Sequence, residues 1–176
     1  IDAGILMRNW RRLAVSVFVG DADAPFDQDS FDVWKSLGIP EKRIAKLPKK
    51  NNWWGPAGKT GPCGPDTEIF YWTGDPQAVP ESFNDDHPSW VEIWNNVFME
   101  YNQQADGSFV PLQQKNVDTG LGFERVVAIM NGLADNYLSD VFINIVRKIE
   151  ELSQKSYADL NYQRLIRIVA DHLKAA

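Results

Sequence analysis

Residues 90–101 read WVEIWNNVFMEY, and the fold turns on this stretch. β-Branched and aromatic residues dominate it, which favours a strand. Side chains alternate along a strand, so Trp94, Asn96 and Phe98 share one face and Ile93, Asn95 and Val97 the other. The second face carries one amide beside two branched residues. That pattern suits a small pocket with one polar orienting group, and equally an ordinary sheet with Asn95 bonded to a loop. Asp106-Gly107 then marks a hairpin turn, and residues 109–112 return as the partner strand.

Working outward, residues 13–19 (LAVSVFV) read as a strand stopped by Gly20-Asp21. Residues 28–37 carry Phe31, Val33, Trp34 and Leu37 at helical spacing before Gly38 and a Pro40 turn, which predicts a short helix. Residues 46–52 read as a basic, polar linker whose lysines are solvated. Residues 53–65 (WWGPAGKTGPCGP) read as loop, residues 67–72 (TEIFYW) as a strand, and the proline-bearing stretch 73–89 as a surface excursion. Residues 116–122 read as a second glycine-bearing turn. Residues 123–131 predict a helix. So do residues 137–154, through Val141, Ile145, Ile149 and Leu152, and residues 162–175, through Leu165, Ile168, Val169 and Leu173. Hairpin-linked strands followed by helices imply an α+β fold with a mostly antiparallel sheet flanked by helices.

A chain of 176 residues supports one well-buried core. Lys plus Arg is 18 and Asp plus Glu is 24, a net charge of -6, whereas a protein wrapping nucleic acid is basic. The single cysteine, Cys63, excludes a disulfide framework and a Cys-rich zinc site. His87 and His172 are too far apart in sequence to suggest a histidine metal cluster. No apolar run approaches the roughly 20 residues of a membrane span, and residues 1–7 lack the features of a signal peptide, so a cytoplasmic setting is expected. The chain starts at Ile1 and stops at Ala176 inside a predicted helix, which suggests a segment of a longer polypeptide.

Three stretches could carry chemistry. In Val117-Asp118-Thr119-Gly120-Leu121-Gly122-Phe123-Glu124-Arg125 a carboxylate precedes glycines that permit close approach, and an arginine follows in the first helical turns. Its guanidinium can lie on an aromatic ring or pair with a phosphate. Asn95 is the amide described above. Trp53-Trp54, beside the glycine- and proline-rich segment, can wall a pocket. Each also has a plain reading, as a turn, a sheet and a pinned loop. Cys63 has no base nearby in sequence, and His87 reads as solvated.

Taken jointly, these segments resemble the catalytic domain of the alanyl-tRNA synthetases, a family of class II aminoacyl-tRNA synthetases. The resemblance runs through Asn52-Trp53-Trp54, Thr60-Gly61-Pro62-Cys63-Gly64-Pro65, Glu68-Ile69-Phe70-Tyr71, Glu92 to Met99, and Asp118 to Arg125, the last similar to class II motif 3. It extends from about Arg12 to the end. It implies a partial catalytic domain over residues 1–154, with motif 3 at 117–130, and the start of the helical tRNA-recognition region at 155–176.

The implied chemistry is activation of alanine by ATP to alanyl-adenylate, then transfer to tRNA(Ala). Asp118 would pair with the α-ammonium of alanine. Asn95 would help to hold the amino acid, and Trp54, Val97 and Gly120 would form a methyl-sized pocket. Gly122 would admit the nucleotide, and Arg125 would stack on adenine. Asp118, Asn95 and Arg125 would thus carry catalysis, mostly by placement and charge stabilisation. Magnesium would arrive with ATP. No zinc is expected, because the family's zinc site belongs to its editing module. The family often has a small residue or cysteine where Asp66 stands, and a phenylalanine is common where Trp53 stands. Motif 1 and motif 2, with the arginine that clamps the α-phosphate, are not found here. The implied partners are therefore alanine, ATP, tRNA(Ala) and an N-terminal half carrying those motifs, with no membrane. A subunit of a split enzyme and a non-catalytic synthetase-like binding module are the competing readings.

Overall fold

Ala14, Val15, Ser16, Val17 and Phe18 are all fully buried, so both faces of strand β1 (Leu13–Phe18) are covered. This strand seeds a sheet in a computed structural model that describes residues 10–83 and 86–176. The readings at residues 1–7 and at 84–85 lie outside the described residues. The other strands are β2 (Ile44–Leu47), β3 (Trp53–Trp54), β4 (Gly61–Trp72), β5 (Trp90–Gln103) and β6 (Phe109–Leu121). The order is β2-β1-β4-β5-β6, with β3 paired to β4. Only β1 and β2 run parallel, through Val15↔Ile44 to Phe18↔Leu47; the other pairings are antiparallel. Helix α1 (Gln28–Ser36), started by Asp27 whose carboxylate accepts from Ser30 N–H at 3.0 Å, makes the crossover between them.

The α+β expectation holds. Four corrections concern length and type. Residues 46–47 belong to β2, because pairing with β1 uses the backbone and tolerates a lysine on an edge strand. Nor are the lysines a solvated connector. Lys46 Nζ lies 4.4 Å from the Phe31 ring centre, and Lys49 pairs with Asp21 and Asp23 at 3.0 and 2.6 Å while covering Trp53. Residues 53–54 and 61–65 are strand rather than loop. A register shift between Cys63 and Asp66 accommodates Pro65, and a β-carbon on Gly64 would meet the Phe98 carbonyl oxygen at 1.9 Å. Residues 116–121 are strand too, since β6 runs in register with β5 from Val117 to Leu121. The loop character of these residues was inferred from their glycines and prolines, but here glycine and proline sit within paired strands.

The chain forms two compact units, Ile1–Gly122 and Phe123–Ala176. In the first, α1 covers one face of the sheet, with Phe31 and Ile39 buried against Val15, Val17 and Ile44. On the opposite face, Ala14, Phe70, Trp72 and Trp90 are covered at one end by Val79 and Phe83 of the excursion. Arg43 fastens that excursion, donating to Pro80 O at 2.8 Å. The other end of this face carries the polar residues described below.

The second unit contains α2 (Phe123–Met130), α3 (Ile143–Ser153) and α4 (Leu160–Ala175). Here the fourth correction falls. Residues 137–154 are not one helix: a 3-10 turn, Asn136–Leu138, ends at Ser139 in extended conformation, and α3 starts later. Asp135 fixes that turn by accepting from Tyr137 N–H at 3.0 Å. Val146, Ile149, Ile166 and Ala170 form the core with Phe142 and Tyr157. The expected α4 stripe of Leu165, Ile168, Val169 and Leu173 is exposed, and the packed face is the one through Ile166 and Ala170. Leu152, expected on the α3 stripe, is exposed as well.

Candidate functional site

Strand register assembles the site. Ser16, Glu68, Asn95 and Gly120 are cross-strand neighbours in one row over β1, β4, β5 and β6. Asp66, Val97 and Asp118 form the next row, two residues along each strand and therefore on the same face. Trp54 pairs with Gly64 on β4, beyond the register shift that separates Cys63 from Asp66, and is exposed there. Asn95, Val97, Asp118 and Gly120 are thus brought together on the face opposite α1, with Trp54 on the neighbouring strand β3. The predicted alternation of residues 93–98 puts Asn95 and Val97 there, and the β5–β6 register adds Gly120 and Asp118.

The two rows have defined local geometry. Asp118 is exposed, and its Oδ1 accepts from Thr119 N–H at 2.8 Å. Val97 beside it is buried and supplies an apolar wall. A β-carbon on Gly120 would lie 2.6 Å from Asn95 Oδ1. Gly120 thus serves the close approach of an amide on the neighbouring strand, not a turn. On the other face, Thr119 hydroxyl contacts Asn95 O and Asn96 Oδ1, both at 3.1 Å, and accepts from Trp94 Nε1–H, locking β5 to β6 behind the site.

Sequence reasoning left four residues of this face without a role: Ser16, Asn52, Glu68 and Glu92. Asn52 is fully buried, and its Nδ2 donates to Ser16 Oγ at 2.8 Å, Asp66 Oδ1 at 2.9 Å and Asp66 O at 3.1 Å. Ser16 Oγ in turn donates to Glu68 Oε2 at 3.4 Å. Burial pushes the Asp66 carboxyl up to about 6; the Asn52 hydrogen bond opposes this, and the charge of Glu92 adds to it. The signal was present in the alternation of Asp66, Glu68 and Phe70, which places both carboxylates on the face of the buried aromatic. This face thus carries the carboxylates of Asp66 and Glu68 beside the Asn95 amide.

Gly122 ends the first unit, its N–H donating to Ile93 O at 2.9 Å and extending the β5–β6 ladder by one step. Arg125 belongs to the second unit, exposed on α2, where Glu124 pairs with Lys174. Hydrogen bonding from Lys174 holds the Glu124 carboxyl below its ordinary range. Cys63 is fully buried, and burial pushes its thiol up, away from the thiolate a nucleophile needs. His87 is exposed but rests on the Trp72 ring at 4.8 Å. A cavity of about 680 Å³ opens on the α1 face, between Phe26, Trp34 and Phe98; neither Trp54 nor the four residues brought together above line it. Among the described residues no group of three His, Cys, Asp or Glu side chains is arranged to hold a metal ion. No helix among them is long and apolar enough to cross a membrane.

A mostly antiparallel six-stranded sheet with an amide-bearing face, whose last strand leads through a glycine into an arginine-bearing helix, is the architecture of a class II synthetase domain. The family of class II (A) tRNA synthetases matches residues 7–176, and the chain belongs to it. Within that family it is similar to the alanine–tRNA ligases. It is 48% identical to that of Treponema denticola over 171 residues, covering 94% of this chain and 28% of the relative. It is 47% identical to that of Borrelia hermsii over 167 residues, with the same coverage of 94% and 28%. It is 39% identical to that of Rubrobacter xylanophilus over 173 residues, covering 93% of this chain and 20% of the relative. The chain therefore spans about a quarter of the length of the relatives it matches.

Proposed function

We propose that this chain supplies the alanine pocket and motif 3 of an alanine-activating centre, within a polypeptide that charges tRNA(Ala). The observation that carries the reading is the placement of Asn95, Val97, Asp118 and Gly120 in adjacent rows of one sheet face. Similarity to the alanine–tRNA ligases supports alanine as the amino acid.

In this reading Asp118 takes the α-ammonium of alanine. Its Oδ1 is already oriented by Thr119 N–H, so the charge pair forms with little reorganisation. Asn95, propped against Gly120, orients the rest of the amino acid, while Val97 and Trp54 bound a space for a methyl group. A carboxylate oxygen of alanine then attacks the α-phosphorus of ATP, and pyrophosphate leaves. The terminal ribose hydroxyl of tRNA(Ala) next attacks the acyl carbon, and AMP leaves. Arg125 stacks on adenine, and Gly122 admits the nucleotide. Magnesium enters with ATP as part of the substrate. The protein supplies placement and charge stabilisation in a cytoplasmic setting. The arginine that clamps the α-phosphate comes from a segment carrying motifs 1 and 2. Residues 1–154 belong to the catalytic domain in this reading, and 155–176 begin the tRNA-recognition helices.

The test is alanine-dependent ATP–pyrophosphate exchange, with this chain alone and with a segment carrying motifs 1 and 2 added. Exchange only after addition, abolished by Asp118→Ala, is expected. Exchange that needs no alanine, or that survives Asp118→Ala, would overturn the reading.

A further inference from the structure

Asn52 and Asp66 lie where the turn before β3 meets the sheet. Asn52 is fully buried, Asp66 is 5% exposed, and the residue after next from Asn52 is Trp54. Three hydrogen bonds join the pair. Asn52 Nδ2 donates to Asp66 Oδ1 at 2.9 Å and to Asp66 O at 3.1 Å, and Asp66 N–H donates to Asn52 O at 3.3 Å. The last extends the β3–β4 pairing by one step, so Asn52 and Asp66 occupy the same row as Val97 and Asp118. Asn52 Nδ2 also reaches Ser16 Oγ at 2.8 Å, anchoring the turn to β1. The amide oxygen of Asn52 is buried without a partner. Packing that served stability alone would favour an apolar pair here, because an unsatisfied buried carbonyl is costly. This arrangement instead specifies one geometry: it ties the residue that leads into β3, two before Trp54, to the Val97–Asp118 row.

We infer that the Asn52–Asp66 clasp is a positioning element that sets the width of the amino-acid pocket between Trp54 and Val97. This rests on the alanine-pocket reading above. Neither residue touches the substrate; both act through Trp54 and Val97. Loss of the clasp frees the turn, and a pocket that has lost its width binds a small amino acid worse and discriminates it less against a larger one.

The experiment measures pyrophosphate exchange in the complete translated polypeptide, with alanine, serine and ATP varied separately. Asp66→Ala and Asn52→Ala are each expected to raise the alanine KM about tenfold, with the ATP KM and kcat within about twofold. The preference for alanine over serine falls with it. The double variant is expected to cost no more than either single one, because the two residues act as a unit. Asp66→Asn keeps an acceptor for Asn52 Nδ2 and is expected to stay within about threefold of the parent. Should Asp66→Ala not fold, Asp66→Ser carries the same measurement. Equal rises in the alanine and ATP KM values, or an unchanged alanine KM in a folded Asp66→Ala or Asp66→Ser variant, would overturn the inference. Asp118→Asn separates the two failures. If it raises the alanine KM while the clasp variants do not, the clasp fails and the pocket stands; if it does not, the pocket reading itself has failed.

Discussion

Gly120 stands directly opposite Asn95 across the β5–β6 ladder, so close that a β-carbon there would lie 2.6 Å from Asn95 Oδ1. The backbone at Gly120 is not in the left-handed region, so alanine is tolerated by the main chain. The added methyl group must therefore displace the amide. Gly120→Ala is expected to lower kcat/KM for alanine about 10- to 100-fold with the ATP KM unchanged, in exchange assays on the complete polypeptide. Thermal unfolding of this chain is expected to move little. A variant with normal alanine kinetics would show that Asn95 does not orient the substrate.

That relationship also marks where sequence reasoning reached its limit. Alternation over residues 93–98 placed Asn95 and Val97 on one face, because a period of two survives in a half-buried strand. The glycines of 116–122 suggested a turn, yet Gly120 lies within β6, and its lack of a side chain answers to Asn95 on another strand. Such a requirement is invisible without the register. The same holds for Asn52 and Asp66, fourteen residues apart in sequence and joined side chain to side chain. In the helical unit, apolar periodicity picked the stripe through Leu165, but contact with α3 selects the adjacent Ile166 and leaves Leu165 exposed.

At the end of α3, Gln154 has φ of 56°, the left-handed region, and its N–H bonds to Glu150 O at 2.9 Å. A side chain there costs about 1–2 kcal/mol that glycine avoids, offset in part by the greater freedom of glycine in the unfolded chain. Gln154→Gly is expected to stabilise the helical unit by about 0.5–1 kcal/mol. Chemical denaturation followed by circular dichroism reads this directly, and a destabilised variant would contradict the assigned cap.

Asp135 ties the 3-10 turn to α4. Its Oδ2 accepts from Tyr157 OH at 2.6 Å and from Arg167 Nη2 at 2.8 Å. Burial pushes this carboxyl up, but the hydrogen bonds from Tyr157, Arg167 and Tyr137 N–H outweigh it and hold it below its ordinary range. A lowered carboxyl stabilises the fold above its ordinary titration range and loses that contribution as pH falls through the native value. Asp135→Asn is therefore expected to cost about 1–3 kcal/mol near pH 7, with the gap to the parent closing in acid. Urea unfolding of both proteins at about pH 7 and about pH 3 tests it. A gap that stays constant with pH would remove the charge from the explanation.

Asp66 has the opposite sign. Its carboxyl is raised from 3.8 to about 6, first by burial and further by Glu92, against the Asn52 hydrogen bond. A raised carboxyl binds its proton more tightly in the folded chain, so folding is most favourable with Asp66 neutral and weakens as pH climbs from about 4 to about 6. Above that range the penalty is constant and of order 3 kcal/mol, the energy equivalent of the shift. Asp66→Asn keeps the shape and an acceptor for Asn52 Nδ2 but cannot ionise. It is expected to match the parent near pH 4, then to exceed it increasingly up to about pH 6, and to hold that advantage at higher pH. Paired unfolding curves of this chain across that range decide the matter. A variant less stable than the parent at pH 7 would mean that the ionised carboxylate, rather than the neutral acid, is what the network of Ser16, Asn52 and Glu68 is built to hold.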